Sequence, residues 1–247
     1  MTLAASEAPL EPAPPQSRNH VLARLPPDEF HAVRAYLTTV SLSSKQSLAS
    51  PGVPIPSVYF PHDTVLSLST VDESGGTVEV GSIGCEGMAG LPVLLGTDRS
   101  TSRLVVQIGG EADRMDADAL PRQAEELPEF RRLLLLYTQA FVTQIAQSTA
   151  CNRLHSSDRR LARWLLICRD RLGRDDLPIT HETISQMLGV RRATVTEAAG
   201  DLQRRGTIRY RRGRVTILRR ERLEAAACEC YRIVREEFDR LLGVRVG

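Results

Sequence analysis

The chain has 247 residues, of which 42% are hydrophobic and 25% are charged, proportions typical of a soluble globular protein with one or two domains. It contains no stretch of about 18 uncharged apolar residues, which excludes a membrane-spanning helix, and residues 1–18 lack the basic start and apolar core of a signal peptide. The five cysteines are odd in number and scattered, which argues against a disulfide framework. We therefore expect a cytoplasmic protein without a membrane partner.

The net charge of +2 conceals an uneven distribution along the chain. Residues 1–127 contain 8 basic and 16 acidic residues, whereas residues 128–247 contain 24 basic and 14 acidic residues. Nine arginines and a single acidic residue, Glu221, lie between Arg204 and Arg222. A solvated surface normally mixes charges of both signs, so this concentration favours contact with a polyanion such as nucleic acid.

The first half of the chain predicts a disordered tail followed by a domain of short strands. Residues 1–18 are rich in Ala, Pro and Glu, the composition of a disordered segment. A helical pattern spans residues 19–37, and short β-rich runs then alternate with glycine and proline to about residue 115. The runs are Ser57–Phe60, Val65–Val71, Thr77–Val80 and Arg103–Ile108, with a hairpin turn at Asp72–Gly76. This succession of short strands and turns predicts a small β-barrel or jelly roll over residues 19–126.

Residues 127–155 predict one long helix with two buried faces. Apolar or small side chains recur along two stripes at steps of three and four residues. Because one domain cannot cover both faces, we expect one face to pack on its own domain and the other on a second copy of the chain. An interdomain helix in a monomer is the alternative. The predicted dimer interface consists of Phe130, Leu134, Tyr137 and Phe141.

Residues 177–206 carry the most informative pattern of the sequence. Thr180 is placed to cap a helix over residues 181–188, which Gly189 ends. A second helix is predicted over about residues 191–205, with a polar N-terminal half on its outward face. A helix, a glycine turn and such a second helix form the helix-turn-helix arrangement, whose second helix enters the major groove of DNA.

A predicted β-hairpin follows the second helix. Apolar and polar residues alternate over residues 207–210 and 214–217, on either side of Arg211-Arg212-Gly213. This is a wing with a cationic tip, suited to phosphate contacts beside the groove. The residues predicted to contact DNA are Thr180, Arg191, Arg192, Thr194, Thr196, Glu197, Arg204, Arg205, Arg211, Arg212 and Arg214.

The predicted helix-turn-helix contains Ile179-Thr180, Ile184 and the run Leu188–Val195, and it lies between a β-rich domain with a long helix and a wing. This arrangement resembles the cyclic-AMP receptor protein/FNR (CRP/FNR) family of bacterial transcription regulators. The resemblance covers about residues 20–220. It implies an α+β protein with an N-terminal β-barrel/jelly-roll sensor domain (19–126), a long dimerisation helix (127–155) and a C-terminal winged helix-turn-helix domain (156–247). It also implies a homodimer that binds a palindromic operator in double-stranded DNA and contacts or blocks RNA polymerase.

The recognition helix departs from the family's usual Ser-Arg-Glu-Thr-Val pattern. Here the matching residues are Arg191-Arg192-Ala193-Thr194-Val195, so the family's base-reading arginine maps to Arg192. Ala193 stands where the family has an acidic residue that contacts a base, and Glu197 stands at a later position where the family has an arginine that contacts a base. The resemblance therefore carries over the binding mode but not the family's best-known operator.

The sensor domain departs further from the family members that bind cyclic nucleotides. Those members use Gly-Glu-Leu-Gly-Leu, followed about ten residues later by Arg-Ser or Arg-Thr. This chain has Gly87–Leu91 with Met88 in place of the glutamate, and Arg99-Ser100 one position late. Met88 cannot accept a hydrogen bond from a ribose hydroxyl, so we do not expect cyclic AMP to be the effector. Arg99 and Ser100 are the candidate contacts for an effector of unknown identity.

No cofactor, metal site or catalytic site is predicted. Residues 1–84 contain no cysteine, which excludes the N-terminal iron–sulfur cluster of the family's oxygen-sensing branch. Cys228 and Cys230 lie in a helix predicted over 220–242, where positions two apart point about 200° away from each other. We therefore expect buried small residues there, on a helix that packs on its own domain or forms a second dimer contact. His155 shows no metal-ligand spacing, and no nucleophile has a neighbouring base, so an enzyme is not expected.

Two other functions compete with sequence-specific regulation of transcription. One is a small-molecule or thiol-redox sensor in which Cys85 is a reactive thiol; a Cys85 pKa of about 8.5 or above would remove it. The other is a nonspecific architectural DNA-binding protein, which would bind any duplex with equal affinity at a given salt concentration.

Overall fold

The computed structural model describes residues 17–71 and 77–243. The tail predicted over residues 1–18 therefore lies almost entirely outside the described residues, as does the predicted turn Asp72–Gly76. The helical pattern over 19–37 forms a short 3-10 helix, Leu22–Arg24, and helix α1, Pro27–Arg34. Pro27 suits the first position of α1 because its missing N–H has no partner there in any helix.

Two antiparallel sheets form the first domain. Their strands are β1 (Thr38–Leu42), β2 (Ser47–Ala49), β3 (Ser57–Pro61), β4 (Val65–Val71), β5 (Thr77–Ile83), β6 (Arg103–Ile108) and β7 (Gly110–Asp116). The strand orders are β1-β7-β3 and β2-β6-β4-β5. Each of the four predicted β-rich runs is part of a strand, and the pairing of Val71 with Thr77 confirms the predicted hairpin. The described strands form two facing sheets around one core, so the jelly-roll alternative holds and a closed barrel is not formed.

Two helices follow the last strand of the sheets and lead out of the domain. These are α3 (Ala119–Glu126) and α4 (Pro128–Leu154), whereas the short helix α2 (Leu91–Leu94) lies between β5 and β6. Helix α4 confirms the long helix predicted over 127–155. The carboxylate of Glu29 on α1 accepts hydrogen bonds from the backbone N–H groups of Glu129 and Phe130, at 3.1 and 2.8 Å, and so satisfies free donors at the start of α4.

The predicted dimer interface is wrong in its choice of residues. Phe130, Leu134, Tyr137 and Phe141 are at most 5% exposed, and all four belong to the hydrophobic core of their own sensor domain. The exposed side of α4 lies elsewhere and includes Leu135 and Val142, which are 48% and 55% exposed. The stripe pattern indicated buried faces correctly, but a stripe does not show whether its own chain or another chain covers it.

The C-terminal domain contains a second hydrophobic core. Its elements are α5 (Ser157–Leu172), β8 (Asp176–Leu177), α6 (His181–Leu188), α7 (Arg192–Arg204), β9 (Ile208–Arg211), β10 (Arg214–Ile217) and α8 (Arg220–Ala226). Strands β8, β10 and β9 form a small sheet in that order. The helix-turn-helix and the wing thus fold as predicted.

The helix predicted over 220–242 is interrupted. Helix α8 ends at Ala226, the backbone is extended at Ala227, and helix α9 runs from Cys230 to Leu242. Helix α9 packs along α4, and its residues Val234 and Phe238 join the core of the first domain. The expectation that this helix packs on its own domain is therefore wrong, since the C-terminal helix returns to the sensor domain.

A buried ion pair joins the two domains. Arg171 on α5 donates to both carboxylate oxygens of Glu86, at 2.6 and 3.1 Å, and the two side chains are 3% and 4% exposed. The guanidinium also donates to the hydroxyl and the carbonyl oxygen of Ser82, at 2.7 Å each, and to Gln144 Oε1 at 3.1 Å. Because each of these groups is buried and partnered, the junction is a fixed contact.

The glycine-rich run over residues 81–90 is explained by this junction. A Cβ atom on Gly84 would lie 2.4 Å from Cδ of Arg171, and one on Gly87 would lie 1.9 Å from the ring of Tyr137. Both distances are far below van der Waals contact. The glycines are therefore the positions at which α4 and α5 approach the sensor backbone.

Candidate DNA-binding surface and effector cleft

Helix α6 begins and ends at the residues that the sequence indicated. Thr180 is the N-cap, and its Oγ1 accepts a hydrogen bond from the backbone N–H of Thr183 at 3.2 Å. Gly189 ends the helix in the left-handed region, with φ of +61°, which glycine adopts without steric cost. Ser185 Oγ donates to the carbonyl oxygen of Val190 at 2.6 Å and fixes the corner between the two helices.

Helix α7 presents its polar N-terminal half to solvent. Val195 and Leu202 are buried in the C-terminal core, whereas Arg191, Arg192 and Thr196 are exposed. Glu197 is exposed and Thr194 is half-buried on the same helix. The amphipathic pattern therefore places one face in the core and leaves the predicted contact face open.

The predicted base-reading arginine has a partner on the preceding helix. The guanidinium of Arg192 forms an ion pair with the carboxylate of Glu182 on α6. Both side chains are exposed, at 67% and 44%. Exposed pairs of this kind contribute about 0–1 kcal/mol, so Arg192 can leave Glu182 at little cost.

The wing is a two-residue hairpin with arginine at its tip. Arg211 pairs with Arg214, and the turn residues Arg212 and Gly213 have φ angles of +48° and +75°. Positive φ at both central positions is the geometry that matches the twist of a tight hairpin. Arg211 and Arg212 are exposed and form no ion pair with any described residue. Arg214 instead pairs with Asp176 on β8.

A stacked pair of rings, absent from the predicted contact set, couples the first helix to the wing. The rings of His181 on α6 and Tyr210 on β9 are stacked with centroids 4.1 Å apart, and the Tyr210 hydroxyl accepts a hydrogen bond from the backbone N–H of His181 at 3.0 Å. Burial and the nearby charge of Arg192 lower the pKa of His181. The alternation of β9 indicated that Tyr210 faces inward, but no local pattern indicated its partner.

Arg204 and Arg205, at the end of α7, are less available than the sequence suggested. Both approach the carboxylate of Asp201, at 3.4 and 2.6 Å. Their charge is therefore partly compensated within the helix. The structure brings the remaining predicted cations together at the start of α7 and at the wing.

A cleft in the sensor domain occupies the space between its sheets and α4. It has a volume of about 490 Å³, part of it open to solvent, and its lining includes Leu68, Met88 and Phe141. The polar side chains of the lining are serines, and no charged residue belongs to it. The lining therefore offers neither a carboxylate nor a cation to a ligand.

The two predicted effector contacts are placed differently. Ser100 lines the cleft. Arg99 is 58% exposed, and its guanidinium donates to the carbonyl oxygen of Gly52 at 3.1 Å and lies 3.4 Å from Asp98. Arg99 is thus a surface arginine held by its own loop and does not point into the cleft.

Cys85 does not fit the role of a reactive thiol. Its side chain is buried, and burial raises the pKa of its thiol to about 12, with the Glu86 carboxylate acting in the same direction. Thiolate is the reactive form, so Cys85 is inert near neutral pH. This removes the sequence feature on which the thiol-redox alternative rested.

A group of potential metal ligands was not predicted from sequence. Cys151, His155, Cys228 and Cys230 place their ligand atoms within 4.8 Å of one another. The interruption between α8 and α9 brings Cys228 and Cys230 to the same place, which a continuous helix would have prevented.

None of the helices in the described part of the chain is long and apolar enough to cross a membrane.

Comparison with known proteins identifies relatives of both domains. Residues 159–226 match the family model of the Crp-like helix-turn-helix domain. The transcriptional regulator SdrP of Thermus thermophilus is 27% identical over 190 residues, which cover 73% of this chain and 89% of that protein. The global nitrogen regulator of Synechocystis is 29% identical over 180 residues, which cover 68% and 78%.

Two solved structures share the fold. FixK2 from Bradyrhizobium japonicum superposes with a TM-score of 0.65 at 16% identity, covering 78% of this chain and 98% of that chain. A CRP/FNR regulator from Thermus thermophilus, TTHA1359, superposes with a TM-score of 0.56 at 24% identity. With its two-sheet sensor domain, connecting helix and winged Crp-like helix-turn-helix, the chain is similar in sequence and in fold to the transcription regulators of the CRP/FNR family.

Proposed function

We propose that this regulator binds a palindromic operator as a homodimer and reads its sequence with α7. The observation that carries the proposal is the open polar face at the start of α7, beside a wing tipped by unpaired arginines. An arginine near the start of a recognition helix can donate to both O6 and N7 of guanine. Arg192 holds that position, while Arg211 and Arg212 are placed for phosphate contact.

The remaining predicted contacts have supporting roles in the proposal. Arg191 and Thr196 are exposed on α7, and Thr180 lies at the N-terminus of α6, where backbone N–H groups attract phosphate. Arg214, Arg204 and Arg205 contribute less because each has a carboxylate partner.

The proposed dimer uses the exposed face of α4. The residues of that face follow alternating steps of four and three, the spacing of a two-helix seam. They are Leu135, Gln139, Val142, Ala146, Thr149 and Arg153. Two copies of α4 side by side would bury Leu135 and Val142, which the single chain leaves about half exposed. The domains at 19–126 and 156–247 would then stand on either side of the helix pair formed by 127–155.

Sedimentation tests this dimer directly. Val142→Glu would place two like charges in the seam, so we expect a shift to monomers and weaker operator binding. Leu95→Glu is the matched control, since Leu95 is 63% exposed, follows α2 in the sensor domain and is not part of α4. A Val142→Glu variant that stays dimeric would contradict the assigned seam.

The sensor cleft favours an uncharged, largely apolar effector. Its lining lacks a carboxylate for a ribose and a cation for a phosphate. Cyclic AMP at millimolar concentration should therefore change neither the melting temperature nor the affinity for DNA. A saturable calorimetric signal with cyclic AMP in the micromolar range would contradict this assignment.

The operator itself is accessible by selection from a pool of random duplexes. We expect the selected sites to converge on two inverted half-sites about one helical turn apart, because two-fold protein symmetry imposes two-fold symmetry on the site. Regulation would follow from contact with RNA polymerase or from blocking its access. A pool that shows no enrichment would instead indicate a nonspecific architectural protein.

A further inference from the structure

Three thiols and one imidazole meet where α4 gives way to α5. Cys151 lies in the last turn of α4, His155 directly follows that helix, and Cys228 and Cys230 flank the start of α9. The sulfur atoms of Cys151 and Cys228 are 3.5 Å apart, and Sγ of Cys230 is 3.5 Å from Nδ1 of His155. We propose that these four residues form a site for a single tetrahedral Zn²⁺ ion.

The spacing of the ligand atoms matches one ion. A tetrahedral zinc with Zn–S bonds of about 2.3 Å and a Zn–N bond of about 2.0–2.1 Å has ligand atoms about 3.5–3.8 Å apart. Two of the distances already have this length, and the others, at most 4.8 Å, close with small side-chain rotations. A [4Fe–4S] cluster binds each of its four ligands through a different iron, and a [2Fe–2S] cluster divides them between two irons, so either cluster needs more room between the ligand atoms.

A disulfide bond would account for fewer of the four clustered residues than a zinc ion does. A bond between Cys151 and Cys228 would require their sulfurs to approach to about 2.05 Å. It would leave Cys230 and His155 beside it without a role. A Cys₃His donor set is a usual zinc ligand combination and uses all four residues.

Neighbouring side chains orient the donors toward a common centre. Nε2 of His155 lies 3.1 Å from Oε1 of Glu229, and Arg159 donates to the other oxygen of that carboxylate at 3.3 Å. Placing the ring proton on Nε2 leaves the lone pair of Nδ1 free to face the thiols. Gln147 Nε2 donates to Sγ of Cys230 at 3.1 Å. A carboxylate behind a histidine ligand is a recurrent feature of zinc sites.

Burial also favours a bound cation. The three cysteines are at most 2% exposed and form a cluster separate from the two hydrophobic cores. Zinc binding to three thiols and a neutral imidazole releases three protons and leaves a net charge of −1.

The site would fasten the start of α9 to the end of α4. Two ligands belong to the end of α4 and two to the start of α9, so the ion closes a link between residues 73 or more positions apart in sequence. Helix α9 lies along α4 and contributes to the sensor core. Metal binding would therefore stabilise the contact between the two domains.

The test begins with the unmodified full chain, purified without oxygen and without added chelator. We expect one zinc per chain by elemental analysis and a fall in melting temperature after zinc is removed by dialysis against a chelator. Cobalt added to the metal-free protein should produce the strong visible absorption of a tetrahedral cobalt–thiolate centre. A chain free of metal, or one that holds iron or copper in place of zinc, would overturn the assignment.

Two sets of variants locate the site. Glu229→Gln should lower the affinity for zinc about 10–100-fold by removing the partner of His155, whereas Glu236→Gln on the same helix should leave it unchanged. Glu229 is exposed, so this variant should retain the fold. Cys228→Ser should abolish the cobalt spectrum, and Cys168→Ser, which removes a buried thiol outside the cluster, should preserve it. Equal zinc affinity in Glu229→Gln and the unmodified chain, or a Cys151–Cys228 disulfide in the purified protein, would contradict the proposal.

Discussion

The wing and the domain junction use arginine in opposite ways. At the wing, Arg211 and Arg212 are exposed and have no ion-pair partner among the described residues. At the junction, the Arg171 side chain is 3% exposed, and all three of its guanidinium nitrogens donate hydrogen bonds, to Glu86, Ser82 and Gln144. The first group can bind a new anion without breaking an internal contact, whereas Arg171 cannot. The basic charge of the C-terminal half therefore serves two separate purposes, and substitution should separate them.

The largest effect is expected at the junction. Arg171→Met would leave the Glu86 carboxylate buried without its cation, and breaking a buried pair costs about 3–5 kcal/mol of the free energy of unfolding. Urea unfolding at fixed protein concentration measures this loss. The double variant Glu86→Gln/Arg171→Met should recover a large part of it, because no charge remains buried. If the single and double variants were equally destabilised, the loss would come from packing and not from an uncompensated charge.

The helix-turn-helix and the junction also differ in how far the sequence could predict them. Thr180 and Gly189 act on their immediate neighbours, so a cap and a left-handed turn could be recognised from a few residues. The partner of Arg171 lies 85 positions away, and no local pattern indicated that Glu86 would meet it. The same limit applies to Phe130 and Tyr137, whose burial was predicted correctly but whose covering partner was not.

The interruption before α9 shows a second limit. Ala227 adopts an extended backbone with ψ of 161°, although no glycine or proline lies between α8 and α9 to end a helix. Helical periodicity alone therefore favoured one continuous helix and set Cys228 and Cys230 on opposite sides. Packing of α9 against α4 overrides that local preference, which is how a site built from both helices escaped prediction.

At the recognition helix, the effect should depend on DNA sequence. Arg192→Ala should cost about 1–3 kcal/mol on the selected operator and little on random duplex, because it removes hydrogen bonds to a base edge. Glu182→Gln is the complementary change, since it frees Arg192 and should strengthen binding by less than about 1 kcal/mol. Fluorescence anisotropy at one salt concentration measures both. Equal weakening on both duplexes would place the base contact elsewhere.

At the wing, the effect should depend on salt and not on sequence. Arg212→Ala removes a cation but keeps a Cβ atom, so the strain of φ at +48° is unchanged. We expect weaker binding to every duplex and a salt dependence reduced by about one unit per subunit. Arg232→Ala, on the exposed side of α9, is the control and should leave the salt dependence unchanged. An unaltered slope for Arg212→Ala would show that the wing tip does not contact phosphate.

The last comparison concerns a carboxylate at the junction that forms no ion pair with any described residue. Glu79 on β5 accepts hydrogen bonds from Ser67 at 2.6 Å and Gln107 at 3.2 Å, in a cleft that Arg163 and Met187 of the C-terminal domain also line. Burial raises the pKa of Glu79 to about 7, against the opposing effect of these hydrogen bonds and of Arg171. Between the unfolded pKa of 4.5 and this value, the folded state holds the proton and the unfolded state does not. Stability should therefore fall as pH rises from about 4.5 to 7 and then level off.

Glu79→Gln tests this last comparison because it keeps the shape of the side chain and removes its ionisable proton. Its unfolding free energy should decline less steeply than that of the unmodified chain over the same pH interval, and the two curves should run parallel above pH 7. Urea unfolding at a series of pH values, at constant protein concentration and ionic strength, gives both curves. Parallel curves between pH 5 and 7 would mean that Glu79 ionises normally and that water reaches it at the junction. A difference confined to that interval would mark Glu79 as a half-buried carboxylate that the junction desolvates without the cation that Arg171 provides for Glu86.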